Sequence, residues 1–121
     1  GKLIDLSTWD SSQPIYISVI VVSELLMGVH RANSEERKLR RSAFVEAIIS
    51  GVTILDFTID AARIHSRIHA DLATSGQLIG AHDMMIAATA LAFDCALLTN
   101  NVREFSRVAN LRVIPFSDSG I

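Results

Sequence analysis

The chain has few of the residues that point to a secreted, membrane or disordered protein. Its one cysteine, Cys95, excludes a disulfide within the chain and fits a reducing compartment, and its apolar neighbours predict a buried thiol. Two prolines and 20% charged residues argue against low-complexity or disordered segments. No apolar run of this sequence is long enough to span a bilayer, and we expect no basic-then-apolar leader. We therefore expect a soluble, cytoplasmic protein without a membrane partner.

What the chain does have is apolar content. Half of its 121 residues are hydrophobic, and this length suits one compact domain, which we expect to cover residues 1–121. The net charge of −2 offers no general attraction for nucleic acid. A nucleic-acid partner would therefore have to be held by a local basic patch.

The hydrophobic pattern predicts strands that alternate with helices. The predicted strands cover 15–20, 52–57, 95–98 and 112–116, and the predicted helices cover 22–31, 34–51, 58–74, 82–93 and 102–108. This order implies an α/β fold with a mainly parallel sheet that helices cover on both faces.

The most informative stretch is residues 79–105, where an acid opens an apolar helix and a short strand ends in polar residues. Ligands bind at the carboxyl ends of strands in such sheets, so these polar residues indicate a ligand-binding site. Asp83 has Ala87 and Ala90 on its helical face, so we expect open space above its carboxylate. A first-turn acid or helix cap would also explain Asp83, and a cap with a reciprocal acid would explain Asn101 and Glu104.

Glu24 is the only charged residue between residues 15 and 29, and Gly28 four residues later leaves it uncovered. A carboxylate in such a run must be paired, bound to a metal or exposed, and a solvated acid near a helix start, favoured by the dipole, is the simpler explanation. Taken together, three acids and one asparagine suggest an oxygen-only site of the kind that Mg²⁺ or Mn²⁺ prefers. Metal-assisted hydrolysis is the reaction class that follows.

Four segments of the chain form a recognisable set of motifs: ISVIVVSELLMGVHRA, RRSAFVEAI, IGAHDMMIAATAL and LLTNNVREF. In order and approximate spacing they resemble PIN-domain ribonucleases and, within that family, the VapC-type toxins of type II toxin–antitoxin pairs. The resemblance implies a PIN-like three-layer α/β fold and an endoribonuclease that depends on Mg²⁺ or Mn²⁺. It also implies a homodimer and a cognate antitoxin that blocks the site with its C-terminal segment.

Carried over by position, the resemblance assigns catalytic roles to Glu24, Asp83, Asn101 and Glu104. Glu24 and Asp83 match the family's second and third acids, and Asn101 stands where the fourth is often Asp. Glu24, Asp83 and Glu104 are then the expected metal ligands, and Thr99 matches a hydroxyl residue that supports the site. Arginines that flank these motifs are candidate RNA phosphate contacts: Arg31, Arg37, Arg103 and Arg107.

The N-terminal segment departs from the family's pattern. Residues 1–18 resemble the helix and linker that follow the family's central first strand, although Leu3-Ile4-Asp5 also fits the end of that strand. We therefore expect the first strand and its Asp to be absent from this sequence, as in an N-terminally truncated domain. That leaves two alternatives open: a catalytically inactive PIN-like module that sequesters antitoxin or RNA, and a dimerising half-domain.

Overall fold

The structure of the protein, a computed structural model, describes residues 15–115. Its elements are β1 (Tyr16–Ser18), α1 (Val19–His30), α2 (Glu35–Gly51), β2 (Thr53–Leu55), α3 (Ile59–Thr74), α4 (Ala81–Ala92), β3 (Leu97–Thr99), α5 (Val102–Phe105) and β4 (Val113–Pro115). Their order confirms the prediction. The expectations for the N-terminal segment and for Phe116 lie outside the described residues.

The described residues divide into two compact units, and residues 15–57 form one of them. Here β1 and β2 pair in parallel, with Ile17 opposite Ile54, and α1 packs against α2. Val22 and Val45 are buried in the core of this unit. A parallel pair joined by two helices is the connection that the sequence pattern predicted.

Side-chain caps decide where the helices of this unit begin. The Ser18 hydroxyl accepts a hydrogen bond from the backbone N–H of Ile20 at 3.1 Å, so α1 begins at Val19 and the strand is shorter than predicted. The predicted start of α2 is confirmed, because the Ser34 hydroxyl accepts from the N–H of Arg37 at 3.2 Å.

Residues 58–115 belong to the second unit, in which β3 and β4 pair in parallel and α3 packs against α4. One face of α3 is apolar and enters the core of this unit, with Ala61, Ile68 and Leu72 buried. Gly76, with φ +69°, follows the end of α3 in the left-handed conformation that glycine adopts without strain. Of the helices in the described part of the chain, none is both long and apolar enough to cross a membrane.

Candidate active site

Asp83 lies in the first turn of α4 and is half-buried. The N-cap of this helix is Gly80, which has no side chain to cap the free backbone N–H groups. A Cβ built on Gly80 would lie 3.6 Å from Oδ2 of Asp83, so the carboxylate lies over the helix N-terminus. The free N–H groups and the helix dipole favour a negative charge there. Asp83 is thus a first-turn acid and not the cap, and this position does not exclude a ligand role.

The two alanines on the Asp83 face do not leave the open space that the sequence suggested. Ala87 is completely buried and Ala90 is 7% exposed. Both belong to the apolar side of α4, the helix that packs against α3, where small side chains let two helices approach closely. Alanines that are themselves covered cannot supply open space above the carboxylate, so that space stays a prediction. Gly80 is the small residue beside the carboxylate, and its position three residues before the acid was the signal in the sequence.

The polar cluster at the end of β3 is held together by two hydrogen bonds. Oγ1 of Thr99 accepts from the backbone N–H of Asn101 at 3.0 Å, and Nδ2 of Asn101 donates to Oε2 of Glu104 at 3.2 Å. All three residues are half-buried. Asn101 is the N-cap residue of α5, as the capping alternative expected, but its side chain makes no capping hydrogen bond to that helix. Instead, the amide of Asn101 holds one carboxylate oxygen of Glu104 in a defined direction.

Glu24 belongs to the unit of residues 15–57 and is exposed in the second turn of α1. No acid lies in the first turn of that helix, so the explanation by the helix dipole was wrong. The expectation for Gly28 is confirmed, because a Cβ there would meet no atom within 4 Å. Glu24 is not free of partners, but its surroundings leave it in contact with solvent.

The four candidate arginines fall into two groups. Two of them are engaged within the protein: Arg37 donates to Oδ1 of Asn33 at 3.0 Å, and Nη1 of Arg107 donates to the carbonyl oxygen of Leu78 at 3.2 Å. Arg107 therefore ties the residues after α5 to the connection between α3 and α4.

Arg31 and Arg103 are different. Both are exposed, and the side chain of neither makes a hydrogen bond or ion pair with another residue of the described part. Of the four candidates, they are therefore the two whose whole guanidinium group is available to a phosphate.

Cys95 is half-buried and not fully buried as the sequence suggested. Burial raises the pKa of its thiol; the nearby Arg112 guanidinium lowers the pKa by a smaller amount, and Asp94 adds a small increase. Arg112 donates to the carbonyl and the carboxylate of Asp94, at 2.7 and 3.2 Å. A raised pKa keeps the thiol protonated, and the protonated thiol is the less nucleophilic form.

The donors fit a hard divalent ion by their chemistry. Asp83, Asn101 and Glu104 offer oxygen ligands, the type that Mg²⁺ and Mn²⁺ prefer. Within residues 15–115, however, no three His, Cys, Asp or Glu side chains form a group that could hold a metal ion. The described residues therefore supply suitable donors without a complete ligand set.

Comparison with known proteins places the chain in a family. The PIN domain matches residues 4–111. Ribonuclease VapC1 of Rickettsia felis is 42% identical over 117 residues, which cover 97% of this chain and 87% of that protein. The tRNA(fMet)-specific endonuclease VapC of Shigella flexneri is 37% identical over 84% of this chain and 74% of its own length.

Solved structures agree with this assignment. VapBC2 from Rickettsia felis, bound to a promoter DNA fragment, matches with a TM-score of 0.77 and 31% identity over 84% of this chain and 74% of that chain. VapBC-5 from Mycobacterium tuberculosis, a member of the VapBC family of toxin–antitoxin systems, matches with a TM-score of 0.70 and 27% identity. The match covers 83% of this chain and 79% of that chain. The chain belongs to the PIN-domain family, has its α/β fold, and has VapC ribonucleases among its relatives.

Proposed function

We propose that this chain is the toxin of a toxin–antitoxin pair and that it cleaves RNA as an endoribonuclease dependent on Mg²⁺ or Mn²⁺. The observation that carries the proposal is the family match together with the position of Asp83 over the N-terminus of α4. The relatives are named ribonucleases and a tRNA-specific endonuclease, which supports RNA as the substrate. The single cysteine fits a cytoplasmic location.

In this proposal Glu24, Asp83 and Glu104 are the residues that would hold the metal. When bound, a divalent ion lowers the pKa of a water molecule and offsets charge on the phosphate. Asn101 holds Oε2 of Glu104 through its amide and so leaves Oε1 to act as a ligand. Thr99 fixes the backbone of Asn101 and keeps this pair at the end of β3.

The RNA is proposed to contact the exposed arginines. Arg31 and Arg103 are the stronger candidates for phosphate contacts, because Arg37 and Arg107 already donate within the protein. As further partners we propose an antitoxin that covers the acidic site and a second copy of the chain in a homodimer. The VapBC structures among the similar folds support the antitoxin.

The test compares two first-turn acids in the same protein. Purified chain is incubated with initiator tRNA and Mn²⁺, as wild type, as Asp83→Asn and as the matched control Asp60→Asn from the first turn of α3. We expect cleavage by the wild type and by the control, and a loss of at least about 100-fold for Asp83→Asn because a metal ligand is removed. Cleavage that persists in Asp83→Asn and in the presence of a chelator would disprove the mechanism.

A second function is favoured by two observations: an amide at position 101, and the lack of a complete metal group in the part of the chain described. It is a catalytically inactive PIN-like module that sequesters antitoxin or RNA. Calorimetric titration with Mn²⁺ separates the two functions. Binding in the micromolar range supports the nuclease, and an absence of binding together with tight antitoxin binding supports the inactive module.

A further inference from the structure

A groove of about 300 Å³ lies in the second unit, apart from the acids of the candidate active site. Its walls come from α3, from α4 and from the residues that follow α5. Buried apolar side chains form the floor and charged side chains form the rim: Ile68, Leu72 and Val108 on the floor, and Arg67, Asp71 and Arg107 on the rim. A concave apolar floor with a few polar groups at its edge is typical of a small-ligand site.

The two charged residues of α3 on this rim are not paired with each other. Arg67 and Asp71 are four residues apart, a spacing at which opposite charges on a helix commonly meet. Glu36 and Arg40 do so in α2, with 2.9 Å between Oε1 and Nη1. Arg67 and Asp71 make no such contact with each other or with another described residue, and both line the groove. The carboxylate and the guanidinium therefore remain available to a ligand.

The third charged residue, Arg107, is held in place. Its Nη1 donates to the carbonyl oxygens of Gln77 and Leu78, at 3.5 and 3.2 Å. A guanidinium has five N–H donors, so the remaining donors of Arg107 can serve a ligand from a fixed position. The rim thus offers one carboxylate acceptor and two arginine donors around an apolar floor.

We propose that this groove binds an unstacked guanine base of a single-stranded RNA. Guanine is the one RNA base with two adjacent donors on its Watson–Crick edge, N1–H and the N2 amino group, which match the two oxygens of Asp71. Its O6 and N7 atoms accept from arginine, and its plane stacks on apolar and guanidinium groups. The RNA context rests on the proposed function, whereas the base preference rests on the groove.

The test is a methyl NMR titration of the full chain with guanosine, adenosine, cytidine, uridine and inosine 5′-monophosphates. All five carry the same phosphate, and inosine differs from guanosine only by lacking the N2 amino group. We expect the methyl signals of Ile68, Leu72 and Val108 to shift, with guanosine monophosphate binding about tenfold tighter than the adenine, cytosine and uracil nucleotides. Inosine monophosphate should bind with intermediate affinity because it keeps one of the two donors.

Two variants on α3 sharpen the result. Asp71→Asn replaces one acceptor oxygen by a donor, so the advantage of guanosine over inosine monophosphate should disappear. Asp60→Asn is the matched control, since Asp60 is an exposed acid of the same helix that does not line the groove. Its nucleotide affinities should equal those of the wild type.

Equal affinity for all five nucleotides, or methyl signals that none of them shifts, would overturn the proposal. It would also fail if these signals shift with protein concentration alone, because a second copy of the chain then covers the groove. Cleavage of RNA by the same preparation separates this inference from the proposed function. Cleavage without a guanine preference defeats only the groove, and a guanine preference without cleavage defeats only the nuclease.

Discussion

The hydrogen bond between Asn101 and Glu104 leads to a prediction that needs no RNA. If Asn101 acts by orienting Glu104 toward a metal, then Asn101→Ala weakens Mn²⁺ binding even though Asn101 is not one of the three proposed metal ligands. A hydrogen bond to a charged group contributes about 1.5–3 kcal/mol. The 3.2 Å length and the half-buried setting place this bond at or slightly below the lower limit.

A contribution of about 1–1.4 kcal/mol corresponds to an affinity for Mn²⁺ that is about five- to tenfold weaker. The assay is calorimetric titration of Mn²⁺ into four proteins: wild type, Asn101→Ala, Glu104→Ala and the double variant. In the Glu104→Ala background, the Asn101 substitution should change the affinity by less than about twofold, because its target is gone. Asn100→Ala, at the exposed neighbouring asparagine, is the control and should bind like the wild type.

Equal losses from Asn101→Ala with and without Glu104 would refute this explanation, since Asn101 would then act on the metal directly. A wild type that does not bind Mn²⁺ would refute the proposed nuclease along with it. Thermal unfolding serves as the structural check. Because both side chains are half-buried and neither caps α5, each single variant should unfold within a few degrees of the wild type.

Three further predictions concern residues away from the acids. Ala87→Leu should lower the free energy of unfolding by about 1–3 kcal/mol in urea denaturation, since a larger side chain must enter a fully buried site; an unchanged midpoint would contradict the packing. Arg107→Ala should lower the free energy of unfolding by about 1 kcal/mol, because the hydrogen bond to the carbonyl oxygen of Leu78 is lost. Arg103→Ala should change the free energy of unfolding by no more than about 0.5 kcal/mol, but it should weaken RNA binding. Burial raises the pKa of the Cys95 thiol, so the unfolded chain loses this proton at a lower pH than the folded chain. The free energy of unfolding should therefore fall as the pH rises above the ordinary cysteine pKa. Alkylation of Cys95 at pH 8 should also be slower in the folded chain than in denaturant.

Much of the fold was predictable because helix starts depend on neighbours in the chain. Ser34 begins α2 as expected, through a contact across three residues, and Thr58 begins α3 in the same way, with its Oγ1 3.1 Å from the N–H of Ala61. The strands were predicted too long. The β-branched residues Val19 and Ile20 favour a strand, but the hydroxyl of Ser18 caps a helix that begins at Val19. A local cap outweighed strand propensity.

For the candidate site, the sequence supplied candidate residues but not the contacts among them. Motifs identified Asp83 and Glu104, and their assignments as metal ligands stay predictions. The sequence pattern could not show that the Asn101 side chain donates to Glu104 and makes no capping hydrogen bond to α5. Both arrangements have the same spacing of three residues, and only the side-chain direction distinguishes them.

The sequence alone determined the order of helices and strands, the start of most helices and the family, because each depends on local spacing and on motifs. The tertiary structure decided which small residues are buried and which charged side chains are left to bind a ligand. Ala87 is buried, and Arg107 donates to the carbonyl oxygen of Leu78. Arg67 and Asp71 of α3 line a groove without forming an ion pair with each other. The burial of a side chain and its hydrogen-bond partners depend on residues that are far away in the sequence. Such residues come close together only when the helices pack.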